Sequence, residues 1–177
     1  MKFTTSAALA AALGLVTASV VALQVQAGGD KIAFPDNYDK GVMYFSLDRP
    51  DTKQYRDIFI TPAAIDALKK GEPAPSGTVI TTVIYKAKLD GDGNPVKDAG
   101  GRYIKSDLAA YAVMEKRTGW GTEYPPEKRN GEWEYRAFTA DKKPNENVKL
   151  TACFECHKPL ASQDFVHAYD KLKEAAR

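Results

Sequence analysis

Thr78-Val79-Ile80-Thr81-Thr82-Val83-Ile84-Tyr85-Lys86-Ala87-Lys88-Leu89 is the most β-branched stretch of this 177-residue chain. Branching at Cβ crowds a helix and suits a pleated strand, so the stretch predicts a long β-strand. A strand needs partners, and the flanking sequence offers them. Upstream, Val42-Met43-Tyr44-Phe45 and Arg56-Asp57-Ile58-Phe59-Ile60, the latter rich in β-favouring residues, read as strands. Downstream, so do residues 108–115 and 132–139; in the last, Trp133 and Tyr135 alternate and Phe138 follows after a slip. Asp90-Gly91-Asp92-Gly93-Asn94-Pro95 reads as a hairpin turn. It opens like a calcium loop, but Pro95 stands where such a loop needs glycine, and Gly101 where it needs a glutamate ligand.

Helical signals are fewer. Thr61 can cap a helix, and Pro62 suits its first position because no N–H is needed there. Gly71 ends that helix, and Ile65 and Leu68 share one of its faces. Residues 163–176 place Phe165, Val166, Tyr169, Leu172 and Ala176 at helical spacing. Residues 28–38 form a lead-in, residues 72–77 and 120–131 are loops, and residues 144–148 are a linker. There is no internal repeat. The expectation is an α+β domain, mainly antiparallel β-sheet, with two helices.

The start of the chain reads as a secretory signal. Lys2 precedes an uncharged Ala/Leu/Val run, and Val25-Gln26-Ala27 offers the small-x-small site of signal peptidase. An uncleaved anchor is the competing reading, and the weak Ala/Thr/Ser-rich composition argues against it. Residues 1–27 are thus expected to be removed, leaving residues 28–177 as a single exported, periplasmic domain with no membrane attachment. The mature charge is close to neutral. It lacks the concentrated basic face that nucleic acid binding requires.

The only two cysteines stand in Cys153-Phe154-Glu155-Cys156-His157. Two thiols one helical turn apart can reach the two vinyl groups of one porphyrin, and an imidazole directly after the second is delivered to the iron. The run is therefore read as covalent attachment of one haem c through Cys153 and Cys156, with His157 as axial iron ligand. The attachment falls just before the C-terminal helix. Three other readings compete. A disulfide would close a tiny loop. A thioredoxin-like redox pair belongs near the start of a βαβ unit. Zinc would need four ligands, and His167 is the one remaining histidine. The candidates for the other axial position are Met43, Met114 and His167. Strand methionines usually fill cores, and His167 falls on the side of the chain that carries His157, so an open distal side is expected.

Pro35-Asp36-Asn37-Tyr38 with Val42-Met43, Arg56-Asp57-Ile58-Phe59-Ile60-Thr61-Pro62, Gly77-Thr78-Val79-Ile80, Gly131-Glu132-Trp133, the Cys-x-x-Cys-His run and Asp164-Phe165-Val166 form a further pattern. On these residues the chain resembles the cytochrome P460 family, which includes the cytochromes c′-β. The resemblance implies a mainly β fold, a homodimer and a haem without a protein ligand on its distal face. Family members that oxidise hydroxylamine carry a lysine cross-linked to the haem edge shortly after the Gly-Thr-Val stretch. An ungapped reading puts Thr82 there, and Lys86 about 13 Å farther along the strand. Arg56 falls where the family places a distal-pocket arginine, which could hydrogen-bond to bound NO, a peroxide oxygen or a propionate. Its competing reading is an ion pair with Asp57. Phe45 and Tyr85 are candidates for the pocket wall, against the simpler reading of core packing.

Three functions follow as alternatives. The first is a five-coordinate haem protein that binds or detoxifies small ligands such as NO. The second is oxidation of hydroxylamine or related nitrogen species, which the absence of lysine at position 82 disfavours. The third is electron transfer with a redox partner protein, which the poor distal ligands disfavour.

Overall fold

The computed structural model describes residues 31–177; the expected leader lies outside the described residues. Five strands pair in chain order into one antiparallel sheet: β1 (Val42–Arg49), β2 (Gln54–Ile60), β3 (Thr78–Ala87), β4 (Lys105–Lys116) and β5 (Trp133–Thr139). The class is α+β, as expected. The β-branched run of β3 lies at the centre, paired on both sides.

Directly opposed residues of an antiparallel sheet share a face, so the register sorts the side chains into rows. On one face Ile60, Ile80, Met114 and Tyr135 oppose one another in turn, all buried, with Trp133 one step farther along β5. Helices α1 (Pro62–Lys69) and α3 (Tyr169–Ala175) close over this half. Ala64 and Ile65 from α1 and Leu172 from α3 complete its core. The next row runs Phe45, Ile58, Thr82, Ala112 and Ala137; the one after it runs Leu47, Arg56, Ile84, Ala110 and Thr139. Here the side chains of β3 to β5 become small, and Thr82, Ile84, Ala110, Ala112 and Ala137 are only half-buried. The opposite face packs Val83, Tyr111, Val113 and Phe138 under the lead-in residues Ile32, Phe34 and Tyr38. Phe34 meets Tyr111 and Phe138 edge-on, with ring centroids 4.8 and 5.3 Å apart.

Cover on both faces explains one departure from expectation. β5 has no slip: Trp133 and Tyr135 face the helices, Phe138 faces the lead-in, and the register with β4 is unbroken. Met43 is also not core. It lies opposite Phe59 on the lead-in face and is 54% exposed. Thr61 stands at the start of α1 without capping it, because its hydroxyl instead accepts the Val79 N–H at 3.3 Å. The turn at residues 90–94 is the expected one: Asp90 Oδ1 accepts the Asp92 and Asn94 N–H groups, and Leu89 pairs with Pro95.

The C-terminal region differs most. Among the described residues there are three α-helices rather than two, because the Cys-x-x-Cys-His run forms its own helix, α2 (Thr151–His157). The helix expected over 163–176 is shortened to α3. Before it, Asp164, Phe165 and Ala168 adopt left-handed backbone conformations with φ of 51°, 59° and 55°. Sheet contacts override the helical spacing. The Asp164 carboxylate accepts from Lys116 Nζ at 2.8 Å and from Trp133 Nε1 at 3.3 Å, which offsets the cost of a left-handed non-glycine residue.

Close approach is required at Gly41, where the chain enters β1. A Cβ there would lie 2.6 Å from the Ile60 carbonyl oxygen and 2.9 Å from that of Tyr38, both backbone atoms. Gly41→Ala is expected to lower stability by about 1–3 kcal/mol, the range for overpacking. Urea unfolding checks this; an unchanged midpoint would mean that the turn can open at no cost.

Candidate haem site

Seven residues are too few to hold a helix alone, so α2 depends on what it packs against. Cys153 and Phe154 rest on the buried core, and the Phe154 ring lies 4.8 Å from that of Tyr135 and 6.0 Å from that of Tyr124. This packing puts the run over the helix-covered face of the sheet. Both cysteines are free. Burial, and next the neighbouring Cys156, pushes the Cys153 thiol pKa up. The Cys156 Sγ lies 3.5 Å from His167 Nε2.

His157 is clamped on several sides. Its ring centroid is 4.9 Å from Tyr135 and 4.6 Å from His167, and its Nδ1 is 2.7 Å from the Phe165 carbonyl oxygen. A carbonyl only accepts, so Nδ1 carries the hydrogen and Nε2 keeps its lone pair. Burial lowers the His157 pKa, and so, less strongly, does His167, against the Phe165 bond that raises it. The ring is therefore biased to the neutral form that a metal requires. The left-handed turn at Asp164 and Phe165 is what aims that carbonyl at the imidazole.

Arg56 reaches the same face from β2. It is half-buried, with Nη2 and Nε donating to Gln54 Oε1 at 2.7 and 3.2 Å. Burial, and then the Arg49 charge, pushes its pKa down, while Cys156 acts on it in the opposite sense, so motif and guanidinium are electrostatic neighbours. The ion pair with Asp57 is not formed. Asp57 points to the other face, where it accepts from Lys105 Nζ at 2.5 Å and Ser46 Oγ at 2.7 Å.

Phe45 and Thr82 thus share a row, and Arg56 stands in the next one. The expectation for Tyr85 is corrected. It lies on the lead-in face, beneath Lys105 Nζ at 4.9 Å from its ring centroid, and packs against the cluster of Val83 and Tyr111. Strand parity explains this, since residues 82 and 85 differ by an odd number. The sequence reading missed Ala110, Ala112 and Ala137, although alanine is depleted in strands and three half-buried ones on one face were a usable signal. It also missed Gln54 and the Phe165 carbonyl.

The donor set and its surroundings fit haem. Two thiols and an imidazole with a free Nε2 project from one short helix on the face of the sheet that also carries the small, half-buried Thr82, Ala110, Ala112 and Ala137. Among the described residues no group of three or more His, Cys, Asp or Glu side chains is arranged to hold a metal ion. The family comparison gives the class, a haem cytochrome. The chain belongs to the cytochrome P460 family, whose model, described as Cytochrome P460, matches residues 35–168. No curated protein matches the chain.

Proposed function

We propose that the mature chain is an exported, periplasmic cytochrome with one haem held covalently by Cys153 and Cys156. In this reading His157 is the proximal iron ligand and the distal side is open to a small ligand such as NO, which the protein binds or detoxifies. Haem supplies an iron that can bind such ligands and exchange electrons; the protein supplies orientation and polarity. The observation that carries the reading is the division of the donors. His157 has one nitrogen committed to Phe165 and one free, while the candidate distal ligands are engaged elsewhere. Met43 is on the opposite face, Met114 is packed between Ile80 and Tyr135, and His167 stands against Cys156 and His157. Arg56, tethered only by a neutral glutamine, can offer its guanidinium to a bound ligand or to a propionate. Association into a homodimer and exchange of electrons with a partner protein belong to the same proposal, as does removal of residues 1–27.

Oxidation of hydroxylamine through a lysine-linked haem is the second reading. Against it, Thr82 occupies the row of small residues, and Lys86 lies two rows away beside Gln54, exposed to solvent. The optical spectrum of the purified ferrous protein decides. The expected result is a five-coordinate high-spin haem that binds CO and lacks a strongly red-shifted band. A sharp low-spin spectrum indifferent to CO would sink the reading and return Met114 or His167 as a ligand. A red-shifted band with hydroxylamine turnover would make Lys86 the residue to examine.

A further inference from the structure

We infer that Asn130 is a positioning residue for the proximal side of the haem, bracing the Cys-x-x-Cys-His helix and the tyrosine beside His157 with a single amide group. The inference rests on the reading of His157 as iron ligand.

Asn130 is 1% exposed, although the 3₁₀ turn just before it, Pro126–Lys128, is exposed. A buried amide costs free energy unless its hydrogens find acceptors. Both do. Nδ2 donates to the Phe154 carbonyl at 3.0 Å and to the Tyr135 hydroxyl at 3.0 Å. Neither acceptor is arbitrary. Phe154 lies between the two thiols, and its carbonyl also receives the Lys158 N–H that closes α2. Tyr135 is the ring in contact with both Phe154 and His157. One amide nitrogen therefore fixes the height of the motif helix above the sheet and the attitude of the ring that flanks the imidazole.

The same loop grips the far end of the helix, where Lys158 Nζ donates to the Arg129 carbonyl at 2.7 Å and the Pro126 carbonyl at 3.1 Å. On its other side His157 is held by Phe165 and His167, so Tyr135 completes the enclosure. Asn130 Oδ1 is buried without a hydrogen-bond partner. An amide rotated to relieve that oxygen would turn it against the Phe154 carbonyl, another acceptor. The orientation present leaves one buried acceptor unmet, which costs free energy, in exchange for both donor contacts.

The test uses the haem-loaded full protein and Asn130→Leu, which keeps the shape and removes both donors. Haem content by pyridine haemochrome is expected to match the wild type. The iron–histidine stretching band in the resonance Raman spectrum of the ferrous protein is expected to shift. The CO dissociation rate is expected to change about tenfold, the low end for loss of an outer-sphere partner at a metal site. A merely structural role would lower the melting temperature and leave band and rate alone, and that result overturns the inference. Tyr135→Phe serves if Asn130→Leu does not accumulate. It keeps the ring and removes the acceptor, so a smaller shift of the same band is expected, and an unshifted band overturns the inference. Haem-loaded wild-type protein without an iron–histidine band would instead overturn the five-coordinate, His157-ligated ferrous haem on which the inference rests.

Discussion

The Cys153→Ala/Cys156→Ala double variant is expected to lose haem completely on a denaturing gel stained for haem, where the unaltered protein stains at its full mass. The effect is all-or-none because the chain has no other cysteine, and no other side chain adds to a porphyrin vinyl group as a thiol does. Each single variant is expected to keep staining through the remaining thioether. Under native conditions the double variant can still hold some haem, since His157 and the small residues Thr82, Ala112 and Ala137 are intact. Denaturation separates the two kinds of binding. Haem that stayed with the denatured double variant would refute the attachment site and send the search to Lys86.

Trp133→Ala carries the second large effect. Trp133 is 1% exposed at the start of β5, packed in the core under α3, with Lys116 Nζ 5.8 Å from its ring centroid. Truncating a buried aromatic to alanine costs about 3–5 kcal/mol, a large part of the 5–15 kcal/mol that holds a typical domain together. The loss also reaches the site. Trp133 Nε1 is one of two donors that hold Asp164 in its left-handed turn, and that turn presents the Phe165 carbonyl to His157. Urea unfolding of the haem-loaded protein is expected to show a midpoint lowered by this amount, with a haem spectrum altered below the transition. A loss under about 1 kcal/mol would show that the ring is not the core element its burial implies.

Much of this was legible in the chain because the signals are local. Runs of β-branched, aromatic or alternating apolar residues marked the five strands, and the spacing of two thiols and an imidazole marked the candidate site within five residues. The face of Tyr85 was legible too, by counting from Thr82, once both were taken to lie on one strand. The break in the C-terminal helix was not. Phe165, Val166, Tyr169 and Leu172 have helical spacing, and the reason they do not continue one helix lies with Lys116 and Trp133, far away in sequence. Asn130 was hidden for a similar reason. An asparagine in a Gly/Pro/charged loop reads as a turn former, and only the fold brings it to Phe154 and Tyr135.

The half-buried rows of β3 to β5 bear on how the protein comes into being. Ile84, Ala110, Ala112 and Ala137 are apolar, sit in mid-sheet and are not covered by α1 or α3 as the rows above them are. In the reading proposed above, the porphyrin would be the side chain that this half of the core lacks, contributed from outside the polypeptide. Burial of such a surface stabilises by about 25 cal/mol for each Å² removed from water. The apoprotein would then be an incomplete fold as well as an inactive one, and it is expected to melt below the haem-loaded protein. On the proposed function, attachment of the cofactor and completion of the core would be one event, and a shortage of haem would leave copies of the chain with this half of the core unfinished.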